Sequence, residues 1–171
     1  MPSTREGTMP WHVGEITMHD VLKVPDFPNP TSPFLFPSAG YLLHNAPLLA
    51  LGTLDDDGRP WTTLWGGKTG FVKPLSASMM SVKAVVDQSY DPVSFHGIDE
   101  QVVMEKEADG KMISGLAFDL DSRQRIKLYG RMVAANLKGM KDSKDVCTIQ
   151  LLMKIEQSLG ENPSTTLYIS G

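Results

Sequence analysis

The stretch that decides the fold is residues 48–65, LLALGTLDDDGRPWTTLW, in which two apolar runs flank a polar turn. The first run is Leu48–Leu54, and the second is Arg59–Trp65. An Asp-Gly pair between two such runs is a strong hairpin signal, because the turn needs a positive φ that glycine adopts without strain. Pro60 has no N–H to donate, so it belongs at a strand start or at an unpaired position. This stretch therefore predicts two antiparallel strands.

Further strands follow from alternating apolar and polar residues. Met79–Val86 is predicted as a third strand. A second hairpin is expected from Met112–Leu120 and Arg125–Val133, which flank the polar turn Asp121–Gln124. Cys147–Leu159 carries apolar residues at odd positions, as a half-buried strand does. Five or more strands joined by hairpins, with little helix, imply an antiparallel sandwich or barrel.

The first 37 residues have a different character. They hold seven of the twelve prolines, which excludes a long helix or a central strand. We predict an N-terminal arm, 1–37, with one helical turn near Glu15–Val21, and a barrel domain, 38–171. The arm also carries Phe27, Phe34 and Phe36, so we expect it to pack on the domain or on a partner subunit.

Two short helices are expected outside the arm. Ser38 is the predicted N-cap of a helix over Ala39–Asn45, which Pro47 ends. Asp99–Glu107 is compatible with an acidic helix or with a charged strand, and the helix is favoured.

Composition narrows the function classes. A net charge of −4 argues against general nucleic-acid binding, which needs a cationic surface. No apolar run approaches the roughly 18 residues that span a bilayer, so we expect a cytoplasmic protein without a membrane partner. The single Cys147 excludes an intramolecular disulfide, and the scattered histidines favour no metal site.

The first candidate binding segment follows the first hairpin. Hydroxyls, glycine N–H groups and an ammonium are what a phosphate requires, and indoles can lie against a planar ring. The alternative is a Thr-rich strand with core tryptophans and a glycine turn. The candidate residues are Trp61, Thr62, Thr63, Trp65, Gly66, Gly67 and Lys68.

The second candidate is the densest positive charge in the chain, formed by Arg123, Arg125 and Lys127. Alternation predicts that all three lie on one strand face, where they converge on one anion. The alternative is the solvated outer face of an edge strand, where basic residues discourage aggregation.

Several motifs together resemble the pyridoxamine 5′-phosphate oxidase-like family. They are WHVGE at 11–15, LALGTLDDDGRPWTTLWGGKTGFV at 49–72, SYDP at 89–92, GLAFDLDSRQRIKLYGRMV at 115–133 and IEQSLGENPSTTLYI at 155–169. The WHxGE-like start points to one branch of that family. The resemblance implies an FMN-binding split β-barrel, mainly antiparallel β with a few short helices. It also implies a homodimer that holds FMN in clefts between its subunits.

The same resemblance assigns expected roles to the two candidate segments. The strand Trp61–Trp65 would run alongside the flavin, with Thr62 and Thr63 near its phosphate or ring edge. Arg125 and Lys127 would contact the flavin or its phosphate. We therefore expect an FMN-binding oxidoreductase that passes electrons between a reduced nicotinamide and a small-molecule acceptor. The alternatives are a non-catalytic dimeric barrel that binds flavin or haem, and a structural protein with an empty cleft.

Overall fold

A computed structural model describes residues 7–55, 57–87, 103–104, 110–140 and 143–160. Two helices and eight strands cover most of these residues. The elements are α1 Val13–Leu22, α2 Pro37–Asn45, β1 Leu48–Leu54, β2 Pro60–Gly66, β3 Val72–Ser76, β4 Met79–Asp87, β5 Val103–Met104, β6 Lys111–Asp119, β7 Gln124–Met140 and β8 Ser143–Gly160.

The strands form one antiparallel sheet in the order β2-β1-β6-β7-β8-β4-β3, with β5 added beside β7. The sheet ends at β2 and β3, which do not pair with each other within the described residues. The predicted mainly antiparallel β fold with a few short helices is thus confirmed, as a split-barrel-like sheet that hydrogen bonds do not close. Among the described helices, neither has the length and apolar character needed to cross a bilayer.

The first hairpin forms as the Asp-Gly signal predicts. Strand β1 pairs with β2 from Leu48 opposite Gly66 to Leu54 opposite Pro60, so Pro60 opens the strand. Asp55 Oδ1 accepts hydrogen bonds from the N–H of Asp57 at 3.0 Å and of Arg59 at 2.8 Å. Gly58 adopts a φ of 76°, which a residue with a Cβ would resist. The Asp55 carboxylate and the positive φ of Gly58 therefore both stabilise the turn.

One side of the sheet is buried and holds the core. The odd-numbered residues of β1 and their cross-strand partners point inward. Leu49, for example, lies between Trp65 of β2 and Ala117 of β6, and all three side chains are buried. Helix α2 adds Leu42 and Leu43 to the same cluster. The second face of β2, β1, β6 and the first half of β7 points away from this core.

The helices differ from the sequence predictions in length and capping. Helix α1 runs for ten residues instead of one turn, because His12 and Glu15 form a capping box at its start. Helix α2 begins at Pro37 with Phe36 as N-cap, so the prediction of Ser38 as N-cap was wrong. Proline suits the first helical position, where its missing N–H costs nothing.

The strands differ from the sequence predictions in three further respects. Strand β3 was not predicted, because it is short and contains Pro74, which the sheet edge tolerates. Residues Val103 and Met104 pair with Ala135 and Ala134 of β7, so the helix predicted over 99–107 was wrong there. The rest of that segment lies outside the described residues. Strands β7 and β8 each extend well beyond their predicted bounds.

The second half of the N-terminal region contacts the sheet. Ser32 and Ser158 exchange backbone hydrogen bonds at 2.9 and 2.8 Å, and the Ser158 hydroxyl donates to Phe34 O at 2.7 Å. Leu35 is buried in the core. These contacts attach residues 32–35 to β8. The division of the chain into an arm and a barrel domain stays a prediction.

Candidate functional site

The candidate side chains of β2 divide between the two faces of the sheet. Trp65 is 5% exposed and belongs to the core, as the alternative interpretation of that residue expects. Trp61 and Thr63 share its side of the strand, and Trp61 remains 42% exposed near the hairpin turn. Thr62 and Gly66 point to the opposite face. No single surface therefore presents the whole segment.

We term this opposite face of β2, β1, β6 and β7 the outer face. Residues that pair across these strands form rows on it. One row runs Leu64, Ala50, Leu116 and Lys127 across β2, β1, β6 and β7. The row on one side of it runs Thr62, Gly52, Ser114 and Tyr129, and the row on the other side runs Gly66, Leu48, Phe118 and Arg125. The outer face is thus apolar in its centre and basic along β7, with Leu64 58% exposed.

The hydroxyl groups of the outer face have different surroundings. Ser114 Oγ donates to Gly52 O at 3.3 Å. A Cβ added at Gly52 would lie 2.6 Å from Ser114 Oγ, so glycine is needed for this contact. Within the described part of the chain, Thr62 Oγ1 has no hydrogen-bond partner. Thr62 is therefore one hydroxyl of this face that is available to a ligand, and the Tyr129 hydroxyl likewise has no partner among the described residues.

The glycine turn after β2 is occupied by packing. Gly67 N–H donates to Pro47 O at 3.1 Å, and a Cβ at Gly67 would overlap the ring of Phe71. Phe71 N–H donates to Lys68 O at 2.9 Å, while the Lys68 side chain is exposed. The expectation that glycine N–H groups are exposed there for a phosphate is wrong at Gly67, because its N–H already has an acceptor.

The three basic candidates do not share a strand face. Arg123 has a φ of 59° in the turn before β7, so its predicted place on the strand was wrong. Arg125 and Lys127 both lie on the outer face and are exposed, and neither forms an ion pair with another described residue. Two cations therefore remain of the predicted cluster of three.

The candidate hydroxyls and cations lie at a distance from each other. Strands β1 and β6 separate β2 from β7, which places the two sets about 14 Å apart at the usual strand spacing. Thr62 and Lys127 therefore do not bind one phosphate within a single chain. The sequence indicates each group, but the strand order that separates them arises from long-range pairing.

Sequence reasoning placed Tyr129 on the face of Arg125 and Lys127, but it did not identify Ser114, Leu116 and Phe118 as members of this surface. Alternation in residues 112–118 was the signal that could have placed these three on one face. A buried cavity beside Trp65 has a volume of about 20 Å³, which suffices for one water molecule. A ligand of cofactor size would therefore bind on the surface of the sheet and not in this cavity.

The only pKa shifts resolved in the described residues belong to turn carboxyl groups. The Arg59 N–H chiefly lowers the pKa of Asp55, and the Ser122 hydroxyl chiefly lowers the pKa of Asp119. Both groups lie at hairpin turns and stabilise local backbone. Within the described ranges, no group of three or more His, Cys, Asp or Glu side chains is placed to hold a metal ion.

No protein-family model and no curated protein matches this chain. Among solved structures, it is similar to a candidate pyridoxamine 5′-phosphate oxidase from Lactobacillus delbrueckii, with 15% identity over 75% of this chain and 95% of that one, and a TM-score of 0.45. It is also similar to HutZ, the haem storage protein from Vibrio cholerae, with 11% identity over 71% and 94% of the two chains and a TM-score of 0.40. An FMN-binding protein from Syntrophomonas wolfei shows 10% identity over 72% and 82%, with a TM-score of 0.39. These similarities concern the fold alone. The similar structures include proteins of the family that the sequence motifs resemble.

Proposed function

We propose that the protein is a homodimeric FMN-binding oxidoreductase that passes electrons between a reduced nicotinamide and a small acceptor. The observation that carries this proposal is the outer face of β2, β1, β6 and β7. It combines the exposed apolar side chain of Leu64 on β2 with the unpaired cations Arg125 and Lys127 on β7. A planar ring with an anionic tail needs these two kinds of surface side by side.

The distance between β2 and β7 favours a site shared by two chains. A twofold interface buries the same patch on both subunits, so β2 of one chain can face β7 of the other. Arg125 and Lys127 of one subunit would then bind the phosphate of an FMN that lies along β2 of its partner, near Thr62. An exposed leucine on the edge strand of a sheet is suited to such burial.

The residues of the outer face would bind and position the cofactor. FMN supplies the electron-transfer chemistry when it is bound. Leu64 and Leu116 would exclude water from the ring, and the guanidinium and ammonium groups would neutralise the phosphate through charge-assisted hydrogen bonds. Thr62 would donate its free hydroxyl.

The spectrum of the untreated protein tests the cofactor. Absorption near ~450 nm is expected for bound flavin. A Soret band would instead support the haem-binding alternative. A colourless protein that does not bind added FMN would contradict the proposal. Stoichiometric FMN binding without oxidation of NADH or NADPH would favour the non-catalytic flavin-binding barrel.

A double substitution tests the cations. Arg125→Ala with Lys127→Ala should weaken FMN binding by about 2–4 kcal/mol, because each substitution removes one charge-assisted hydrogen bond to the phosphate. The matched control is Lys23→Ala with Lys154→Ala, which removes the same charge outside the outer face described here. Titration of flavin fluorescence measures both affinities. Equal affinities for the wild type and the Arg125 and Lys127 variant would exclude these residues from the site.

A further inference from the structure

A groove lies on the side of β3, β4 and β8 that faces away from the core, and it continues onto the second half of β7. Its two parts have volumes of about 470 and 420 Å³ and share Lys83, Asn136 and Gln150 in their lining. A ligand pocket of small-molecule size usually has a volume of this order. The groove is therefore large enough for a metabolite, and none of the candidate residues from the sequence lines it.

The strand register brings polar groups from three strands into this groove. Lys83 of β4, Gln150 of β8 and Asn136 of β7 form one row across the sheet. Thr148 and Lys138 form the next row on one side. On the other side, Lys73 of β3 lies opposite Ser81 of β4. Neighbouring rows are about 7 Å apart, so the long lysine side chains can reach a common ligand.

The charge in the groove is uncompensated. Lys73, Lys83 and Lys138 are exposed, and none forms an ion pair with a described residue. On these strands, two described acidic residues share their side. Asp87 lies four residues beyond Lys83 and thus about 13 Å away along β4, and Glu156 of β8 lies beside Arg131 and Lys154. Three unpaired ammonium groups in a chain of net charge −4 make this groove a local positive region.

Protection of a sheet edge does not account for Lys83. Basic residues often discourage aggregation at edge strands. Lys83 instead lies on β4, which has β8 on one side and β3 on the other. Lys73 lies on the edge strand β3, and among the described residues Lys138 pairs only with β8. The amide side chains of Asn136 and Gln150 lie between Lys83 and Lys138 and add neutral hydrogen-bond donors. This set of donors matches a phosphate-bearing ligand.

One end of the groove is apolar. The half-buried Ala134 and Leu152 supply apolar surface in the larger part, whereas Phe71 beside it is only 8% exposed. Phe71 O accepts a hydrogen bond from Lys83 N–H at 2.7 Å, which fixes the loop before β3 against β4. An apolar end beside a cationic end accommodates a molecule with an apolar body and a phosphate tail.

We propose that this groove is a second binding site, which takes a phosphorylated small molecule with an apolar body. Lys83 and Lys138 bind the phosphate groups, and Ala134 and Leu152 contact the apolar body. The site is distinct from the proposed flavin site. Lys138 lies eleven residues from Lys127 on β7, a separation of up to about 36 Å along an extended strand.

Fluorescence anisotropy with mant-ADP, which joins a diphosphate to an apolar fluorophore, tests the proposal on the full chain. Wild-type protein should bind the probe saturably, with an affinity that falls as salt rises. Lys83→Gln with Lys138→Gln should weaken binding at least about tenfold, because two charge-assisted hydrogen bonds are lost. Lys83→Arg should retain most of the affinity.

The control variant is Lys23→Gln with Lys127→Gln, which removes the same charge and includes the proposed flavin face. Circular dichroism melting verifies that each variant is folded. If the control variant still binds mant-ADP, the result supports a binding site in the groove. If Lys83→Gln with Lys138→Gln leaves the FMN affinity unchanged, the groove and the proposed flavin site are separate. The proposal is overturned if the wild type does not bind the probe up to millimolar concentration. It is also overturned if both double variants lose affinity equally, or if only the control loses it.

Discussion

At the scale of single residues, two glycines on neighbouring strands have very different tolerance for a side chain. Gly130 lies at a register shift in β7, where a Cβ would overlap the carbonyl oxygen of Lys154. Gly115 of β6 has room, because the nearest atom to an added Cβ is Leu128 Cβ at 3.5 Å. The close approach of β7 and β8 therefore depends on the absence of a side chain at Gly130.

We predict that Gly130→Ala lowers the free energy of unfolding by about 1–3 kcal/mol, because the backbone of β8 must move. Gly115→Ala is the matched control and should change it by less than about 1 kcal/mol. Urea denaturation followed by circular dichroism measures both. Equal stability of the two variants would show that β8 yields to the new methyl group without cost.

Asp55 provides a second prediction at this scale. Its carboxylate accepts two turn N–H groups and forms an ion pair with Arg59 at 2.6 Å. The Arg59 N–H chiefly holds the pKa of Asp55 below its ordinary value of 3.8. A depressed pKa stabilises the fold above the unfolded pKa, and this contribution is lost as the pH falls through the folded pKa. Asp55→Ala should therefore lower the Tm at neutral pH.

The difference in Tm from the wild type should narrow below pH 3.8, because the wild-type carboxylate then becomes protonated. Thermal melts between neutral and acidic pH measure this. Asp26→Ala, a substitution at an exposed arm residue, should not reproduce the pattern. A difference that stays constant down to acidic pH would show that the charge of Asp55 does not stabilise the turn.

At the scale of elements, α1 is held by its cap more than by packing. None of its residues is buried, and Val13, Val21 and Leu22 are each more than 60% exposed. Gly14 N–H donates to His12 Nδ1 at 3.1 Å, and His12 N–H donates to Glu15 Oε2 at 2.9 Å. A short helix without core contacts is marginal in water, so these bonds matter locally.

We predict that Glu15→Ala speeds amide exchange within α1 and leaves the global Tm unchanged, because helix opening exposes no core. Hydrogen-exchange mass spectrometry resolves this helix from the sheet. Asp20→Ala lies outside the cap and should not speed exchange. Unchanged protection of α1 in Glu15→Ala would mean that other contacts hold the helix.

At the scale of the whole molecule, the proposed site depends on a second copy of the chain. The outer face exposes Leu64 within strand β2, whereas Leu120 is equally apolar but lies in a hairpin turn. We predict that the wild type sediments as a dimer and that Leu64→Asp sediments as a monomer, because an aspartate would be buried unpaired in the interface.

Leu120→Asp is the control, and it should remain a dimer. Sedimentation velocity at micromolar concentration distinguishes the species, and loss of FMN together with the dimer would connect assembly to the site. A monomeric wild type would contradict both the interface and a flavin site shared between chains.

The sequence by itself determined the local elements of this protein. The turn 55–58 contains its own acceptor and glycine, so the β1–β2 hairpin depends on few distant contacts. Alternation likewise determined which side chains of β7 share a face, since Arg125 and Lys127 lie where a period of two places them. The capping box formed by His12 and Glu15, and with it the ten-residue length of α1, was not predicted from the sequence.

Only the tertiary structure decided which of these elements meet. The order β2-β1-β6-β7-β8-β4-β3 places two strands between Thr62 and Lys127, and it brings Lys83 beside Gln150 and Asn136. It also buries Trp65 while leaving Trp61 exposed. The physical reason is that a strand's own residues specify its two faces, whereas its neighbours are selected by burial and hydrogen bonding between segments far apart in the chain.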